Sequence, residues 1–414
     1  MTYKVLYISY DGMTDPLGQS QVLPYLEGLS KKNFEIHLIS FEKPNRLESI
    51  KELINKRCAE SNITWHPKIY TKKPPLISTM KDLKAMYKLA FKLHKKNNFD
   101  LVHCRSYIPA IVGMKLQKRK GVKFVFDMRG FYADERIEGK IWDVSKFVYR
   151  YVYDYFKKKE LQFFKKADHV VSLTNNGKKE IVKLVNNKVG NKTTVIPCCV
   201  DTNLFDPEQV NPHRKRKLKE ALGIKENDFI LGYIGSIGSW YMLDEMLDFF
   251  KVQLAKNKSL KFLFVTGEPA DEILSKAVEK GIPKEAILMT STIYKYMPLH
   301  ISLFDFSIFF IRPTFSKRAS SPTKQGELMA MGVPVICNSG VGDTDEIVNK
   351  YHSGKVLDKL NDSSYTNTTM DKNEFDSTKI REGAIDYFGL DQGVENYYSI
   401  YKKLLEKEAT LAGG

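Results

Sequence analysis

The chain has 414 residues, 43% of them hydrophobic and 12% aromatic, which excludes a disordered polymer and suits two domains of roughly 200 residues each. The formal net charge is +16 and it is one-sided: residues 1–200 hold 38 Lys+Arg against 19 Asp+Glu, a balance of +19, and residues 201–414 hold 27 against 30, a balance of −3. The first half should therefore meet something anionic, and a membrane surface or an acceptor fits better than nucleic acid, for which no helix-turn-helix, zinc or RNP-like pattern is present.

No apolar run approaches the ~20 residues of a membrane-spanning helix. The opening stretch VLYISY is shorter than a signal h-region and reads as a first strand, so the expected location is cytoplasmic, peripheral on the inner face of the plasma membrane. Five cysteines, an odd number with no CxxC, argue for buried thiols and against a disulfide framework or a metal site.

In chain order, VLYISY is followed by the turn DGMTDPLGQSQ, with Gly18 in it, and by a helix over VLPYLEGLSKK. FEIHLISF is a second strand, 81–97 a helix, FDLVHCR a strand, 108–119 a helix and VKFVFDMRG a strand that ends on charge. The stretch 146–166, KFVYRYVYDYFKKKELQFFKK, is a helix that mixes aromatic and basic residues; by itself it fits a surface helix with an aromatic core stripe at least as well as an anionic membrane surface, and the +19 balance of its half favours the membrane. ADHVVSLTNN and TTVIPCCVD complete the first series of βα units. Charge clusters and strand signal lapses near 201–228, the expected linker. FILGYIGSIGSWY restarts the pattern, with LKFLFVTGE, AILMTSTI, FSIFFIRP and VPVICNSG as further strands and a helical tail from 386. Repeated βα units imply two doubly wound parallel sheets, with a ligand cleft between them.

The most chemical stretch is 312–327, RPTFSKRASSPTKQGE, at the carboxyl end of the strand FSIFFI. Arg312, Lys317, Arg318 and Lys324 supply cations there. Ser321 reads as the N-cap and Pro322 as the first residue of a helix whose amino end, with Thr323, can meet an anion. Glu327 would repel a phosphate but can accept hydrogen bonds from ribose hydroxyls. The combination suggests a nucleoside-diphosphate sugar, against the blander alternative of a solvated basic loop with a dipole-favoured glutamate. IGSIGSW offers Gly235 and Ser236 as backbone donors to phosphate. Asp127 and Arg129, just past a strand end, could hold a sugar hydroxyl and a phosphate or acceptor, or could be an ion pair that fixes a loop.

The run Glu327-Leu328-Met329-Ala330-Met331-Gly332-Val333-Pro334-Val335 resembles the E-A-M-A-x-G-x-P-V run of glycosyltransferase family 4, retaining enzymes of the GT-B fold. VIPCCVDTNLF is similar to that family's interdomain segment, the turn around Gly18 stands in the place of its glycine loop, and LGYIGSIG stands where its second domain begins. The resemblance implies two Rossmann-like domains, 1–200 for the acceptor and 201–385 for the nucleotide sugar, with a helix in 386–414 crossing back to the first. It implies a nucleotide-sugar donor and no metal or cofactor. On that basis the protein is expected to use a UDP- or GDP-linked donor and a glycan acceptor, lipid-linked on account of the basic first half and the 146–166 helix, with Asp127, Arg129, Lys324 and Glu327 as the residues that carry the reaction. Family members retain the anomeric configuration, with the leaving phosphate taking the acceptor's proton. Three positions depart from the pattern. Ala319 stands where an acid eight residues before Glu327 contacts the donor sugar. Ser236 and Tyr241 stand where an Arg and a Lys five apart are common. The region Asp127-Met128-Arg129 stands in for a histidine. Lys324, with Arg318 or Lys317, is expected to replace the missing basic pair, and a non-catalytic nucleotide-sugar binder is the alternative function.

Overall fold

A computed structural model describes residues 2–411. The chain divides into two units, one comprising the residues up to Pro197 together with those from Leu390 onward, the other Cys198–Gly389.

The first unit is built on β1 (Tyr3–Ser9), β2 (Phe34–Glu42), β3 (Ile63–Ile69), β4 (Leu101–Arg105), β5 (Lys123–Asp127), β6 (His169–Ser172) and β7 (Thr193–Val195). They pair in the order β3-β2-β1-β4-β5-β6-β7, every pair parallel. The central strands are apolar runs because helices bury them on both faces. Neither β3 nor the helix Pro44–Glu60 before it is foreseen from the sequence. β3 is a partly exposed edge strand with Pro67 inside it, and an edge strand needs neither apolar alternation nor every N–H. The helix Leu390–Leu411 belongs to this unit and packs on the helix Leu23–Ser30, where Val394 meets Gly28 and Lys32 pairs with Glu395.

The second unit holds β8 (Phe229–Ile234), β9 (Leu260–Val265), β10 (Ile287–Thr290), β11 (Phe306–Phe309), β12 (Val335–Asn338) and β13 (Gly354–Leu357), parallel in the order β10-β9-β8-β11-β12-β13. The expected linker 201–228 is not bare chain, since it contains the helix Pro212–Ala221 within this unit. In each sheet the strand order reverses once, between β1 and β4 and between β8 and β11. Open α/β sheets bind ligands outside the carboxyl ends of the strands at such a reversal. Among the described residues no helix is long and apolar enough to cross a membrane, and no group of His, Cys, Asp and Glu could hold a metal. All five cysteines are buried and none forms a disulfide.

Candidate functional site

The loops that leave β8 and β11 are zipped together at the reversal of the second sheet. Tyr241 bridges Ile311 in antiparallel fashion, the Arg312 N–H donates to the Trp240 carbonyl at 3.0 Å, and the Met242 N–H to that of Phe310 at 2.9 Å. This pairing brings an aromatic group, Tyr233, Trp240 and Tyr241, against the basic stretch read from the sequence.

Lys324 lies inside this arrangement. It sits in the first turn of the helix Thr323–Ala330 and is buried, with Nζ 3.6 Å from the Tyr241 ring centre and 3.9 Å from that of Tyr233. Nζ makes no hydrogen bond. Burial pulls the ammonium well below its usual range, against the opposing effect of Glu327. The rings compensate part of the lost hydration. Gly235, at φ +87°, leaves room beside Nζ; a Cβ there would stand 3.9 Å away.

Glu327, one turn along the helix, keeps part of its surface open but is packed densely enough that burial raises its pKa to about 7. Lys324 and a hydrogen bond from the Tyr294 hydroxyl work in the other direction. Lysine and glutamate thus share one low-polarity setting, in which the charged forms are stabilised chiefly by each other.

The other expected residues fall around this pair. Lys317 is buried with Nζ 3.8 Å from the Trp240 ring centre, while Arg312 and Arg318 are exposed. Thr323 is the first helical residue. Ser321 is not the N-cap: the helix begins one residue later, Pro322 takes that position, and the Ser321 hydroxyl accepts the Cys198 N–H at 3.1 Å. Ser236 is exposed, and its carbonyl accepts the Tyr233 hydroxyl at 2.6 Å. Ala319 is fully buried. Tyr294, Tyr233 and Trp240 are not singled out from the sequence; a lone aromatic in a strand or a loop carries no local signature.

Gly18 is not in a turn. It is buried inside the helix Pro16–Gln21, and a Cβ on it would come 2.1 Å from the Gly12 carbonyl oxygen and 2.7 Å from Met13 Cα. Its bare backbone lets that helix sit on the preceding loop. The loop is held by Glu42, a buried residue overlooked in the sequence, whose carboxylate accepts the Met13 and Thr14 N–H groups at 2.9 and 3.0 Å.

Asp127 and Arg129 belong to the first unit. Asp127 ends β5 and is buried; its Oδ2 accepts the Tyr397 hydroxyl at 3.1 Å and lies 3.5 Å from His103 Nε2 and 4.0 Å from Arg105. Arg129, at φ +60°, is 3.9 Å from the other oxygen. Burial opposes the charge on Asp127, yet Arg129, His103 and Arg105 together hold its pKa below the usual value. The network joins neighbouring strand ends to the last helix, as expected of a pair that fixes a loop. His103, which burial pushes towards neutrality, and Arg105, which also pairs with Asp11 at 3.2 Å, are members that local sequence pattern does not reveal.

Comparison with known proteins agrees with this architecture. The profile of Glycosyltransferase Family 4 matches residues 20–204. A 162-residue segment is 30% identical to UDP-Gal:alpha-D-GlcNAc-diphosphoundecaprenol alpha-1,3-galactosyltransferase of Escherichia coli, covering 39% of this chain and only 38% of that protein. Among solved structures, a glycosyltransferase from Rickettsia africae superposes with a TM-score of 0.70 at 18% identity, over 98% of this chain and 99% of the other. Anabaena Alr3699/HepE, solved in complex with UDP and glucose, gives 0.68 at 13% identity, over 97% and 99%. The family match is confined to residues 20–204, and the two doubly wound sheets are those of the GT-B fold.

Proposed function

We propose that this protein is a retaining glycosyltransferase that moves a sugar, a hexose, from a UDP- or GDP-linked donor to a glycan or lipid-linked acceptor in polysaccharide or glycolipid synthesis. The observation that carries the reading is the Lys324 ammonium, buried without a hydrogen-bond partner beside Glu327 at the reversal of the second sheet. A buried ammonium costs free energy unless an anion meets it, and a donor diphosphate is such an anion. Glu327 then accepts the ribose hydroxyls. Lys324 also opposes the negative charge that grows on the diphosphate as the glycosidic bond breaks, a role that needs no metal or cofactor. The departing phosphate takes the acceptor's proton on the same face. A UDP-galactose-dependent enzyme and a complex with UDP and glucose among the similar proteins favour UDP. The lipid-linked acceptor of the Escherichia coli relative and the basic first half favour work at an anionic membrane surface, on the cytoplasmic side. Asp127 and Arg129 act on the acceptor side through the loop they order.

The test is a thermal-shift screen against UDP-, GDP-, ADP- and CMP-sugars, followed by transfer assays with the one that binds. A UDP-sugar should raise Tm in the native protein and not in Lys324→Ala. Equal shifts in both proteins would refute the assignment of Lys324. Ala319 and Ser236, where family members commonly carry donor contacts, favour a second reading, a non-catalytic nucleotide-sugar binder; binding with neither transfer nor hydrolysis would select it.

A further inference from the structure

The helices Ile77–Asn97, Tyr107–Lys120 and Phe147–Lys166 run side by side in the first unit. On the first of them Ile77, Lys81, Lys84, Lys88, Lys92 and Lys95 follow one another at spacings of three and four, so they form a single stripe, and all are exposed. On the third, Phe147, Tyr151 and Tyr155 begin a stripe that continues through Lys158 and Lys165, again all exposed. Both stripes are apolar at the amino end and basic beyond it. Ile77 is 65% exposed and Phe147 82%, and Met80, Val148 and Tyr151 are also open to solvent. Crossover helices of a parallel sheet start at the carboxyl ends of the strands, so both apolar ends lie at that edge of the sheet.

The charge is unbalanced as well as aligned. The acids of these helices are Asp82, Asp154 and Glu160, and only Asp154 is exposed. Among the described residues no ion pair involves Lys81, Lys84, Lys88, Lys92, Lys95, Lys158 or Lys165, whereas elsewhere in the unit Lys4, Lys32 and Lys43 each pair with a carboxylate. Solvated lysines alone would serve solubility. Large aromatic and aliphatic side chains grouped at the head of each lysine stripe do not, because exposed apolar patches mark contact surfaces.

We propose that this three-helix face is the surface by which the protein lies on an acidic phospholipid bilayer, with Ile77, Met80, Phe147, Val148 and Tyr151 entering the interface and the lysine stripes lying on the headgroups. The proposal deepens the membrane part of the proposed function and rests on that reading. It enlarges the contact from the single helix at 146–166 to a face whose most regular lysine stripe lies on another helix. It also sets the orientation, because the carboxyl ends of the strands, where Arg105, Asp127 and Arg129 stand, lie at the inserted edge, where a lipid-linked substrate enters.

The test is co-sedimentation of the full chain with phosphatidylcholine vesicles and with mixed phosphatidylcholine–phosphatidylglycerol vesicles. Binding to the mixed vesicles alone, weakened by salt, is expected. Each lysine removed should weaken it about fivefold, so Lys84→Gln/Lys88→Gln/Lys92→Gln should weaken it about a hundredfold. Phe147→Ser/Tyr151→Ser should abolish the part of the binding that survives high salt. Equal binding to neutral vesicles, wild-type binding by the triple variant, or retention on heparin without vesicle binding would each overturn the proposal, the last in favour of a soluble polyanion. The rise in Tm with UDP, measured on the same variants, reports folding and donor binding separately. Its loss in the wild type with vesicle binding intact would refute the enzymatic reading and leave the face standing.

Discussion

Lys324 holds its ammonium away from water with two tyrosine rings for company and no hydrogen-bond acceptor. Leaving a buried polar group unsatisfied costs about 1–3 kcal/mol, and more for a charge. Lys324→Met should therefore raise Tm of the ligand-free protein by several degrees, measured calorimetrically, which is the stability–function conflict common at binding sites. Glu327 adds a pH signature. Its folded pKa of about 7 exceeds the ordinary 4.5, so the folded state holds the proton more tightly. The associated stability is complete below about 4.5 and is lost as pH rises through about 7. Glu327→Gln should flatten the fall in Tm over that window, and an unchanged slope would show that the carboxyl does not titrate there. Lys324 and Glu327 were legible in the sequence because a charged loop after an apolar strand is a local pattern. Tyr233 and Tyr294 were not, since each meets the pair only when segments distant in the chain fold together.

At the level of single elements, steric fit decides more than propensity. Gly18→Ala would drive a methyl group into the Gly12 carbonyl, so the helix Pro16–Gln21 must shift or lose its seat. Urea unfolding should show a loss of about 2 kcal/mol or more, where an open helical site would gain stability from the same change. A glycine between DPL and QSQ reads as a turn residue, because sequence reports the freedom glycine permits and not the neighbour it avoids. The opposite error concerns β3, where polar, proline-bearing chain forms an edge strand because β2 supplies the ladder. Helices with long periodic patterns, such as Ile77–Asn97 and Phe147–Lys166, were visible to within a few residues. Their amino-terminal apolar turns and carboxyl-terminal lysines vary along the axis, and reading one helix at a time hides that the two stripes match.

For the whole molecule, the alternation of strands and helices was enough to foresee two parallel sheets. Only the family resemblance assigned the last helix to the first domain; its own periodicity is that of any amphipathic helix until Tyr397 and Tyr401 are seen to reach Asp127 and His103. Val394, Tyr397, Ile400, Tyr401 and Leu405 are buried, so this helix is part of the core of the first unit. Removing residues 390–414 should accelerate amide exchange in β1 and β4 by orders of magnitude while leaving β8 and β11 protected. Comparable acceleration in both sheets would contradict the division of the chain at Leu390.

The same feature bears on how the protein is made. Domains ordinarily fold in the order in which they leave the ribosome. Here the first sheet to emerge lacks a core segment that is translated only after the entire second unit. The nascent first half must wait with Tyr7, Tyr25 and Phe34 uncovered, the residues against which the final helix lays Tyr397 and Tyr401. Completion of the first unit thus waits for synthesis of the second, and its exposed aromatic patch is meanwhile a natural point of chaperone capture.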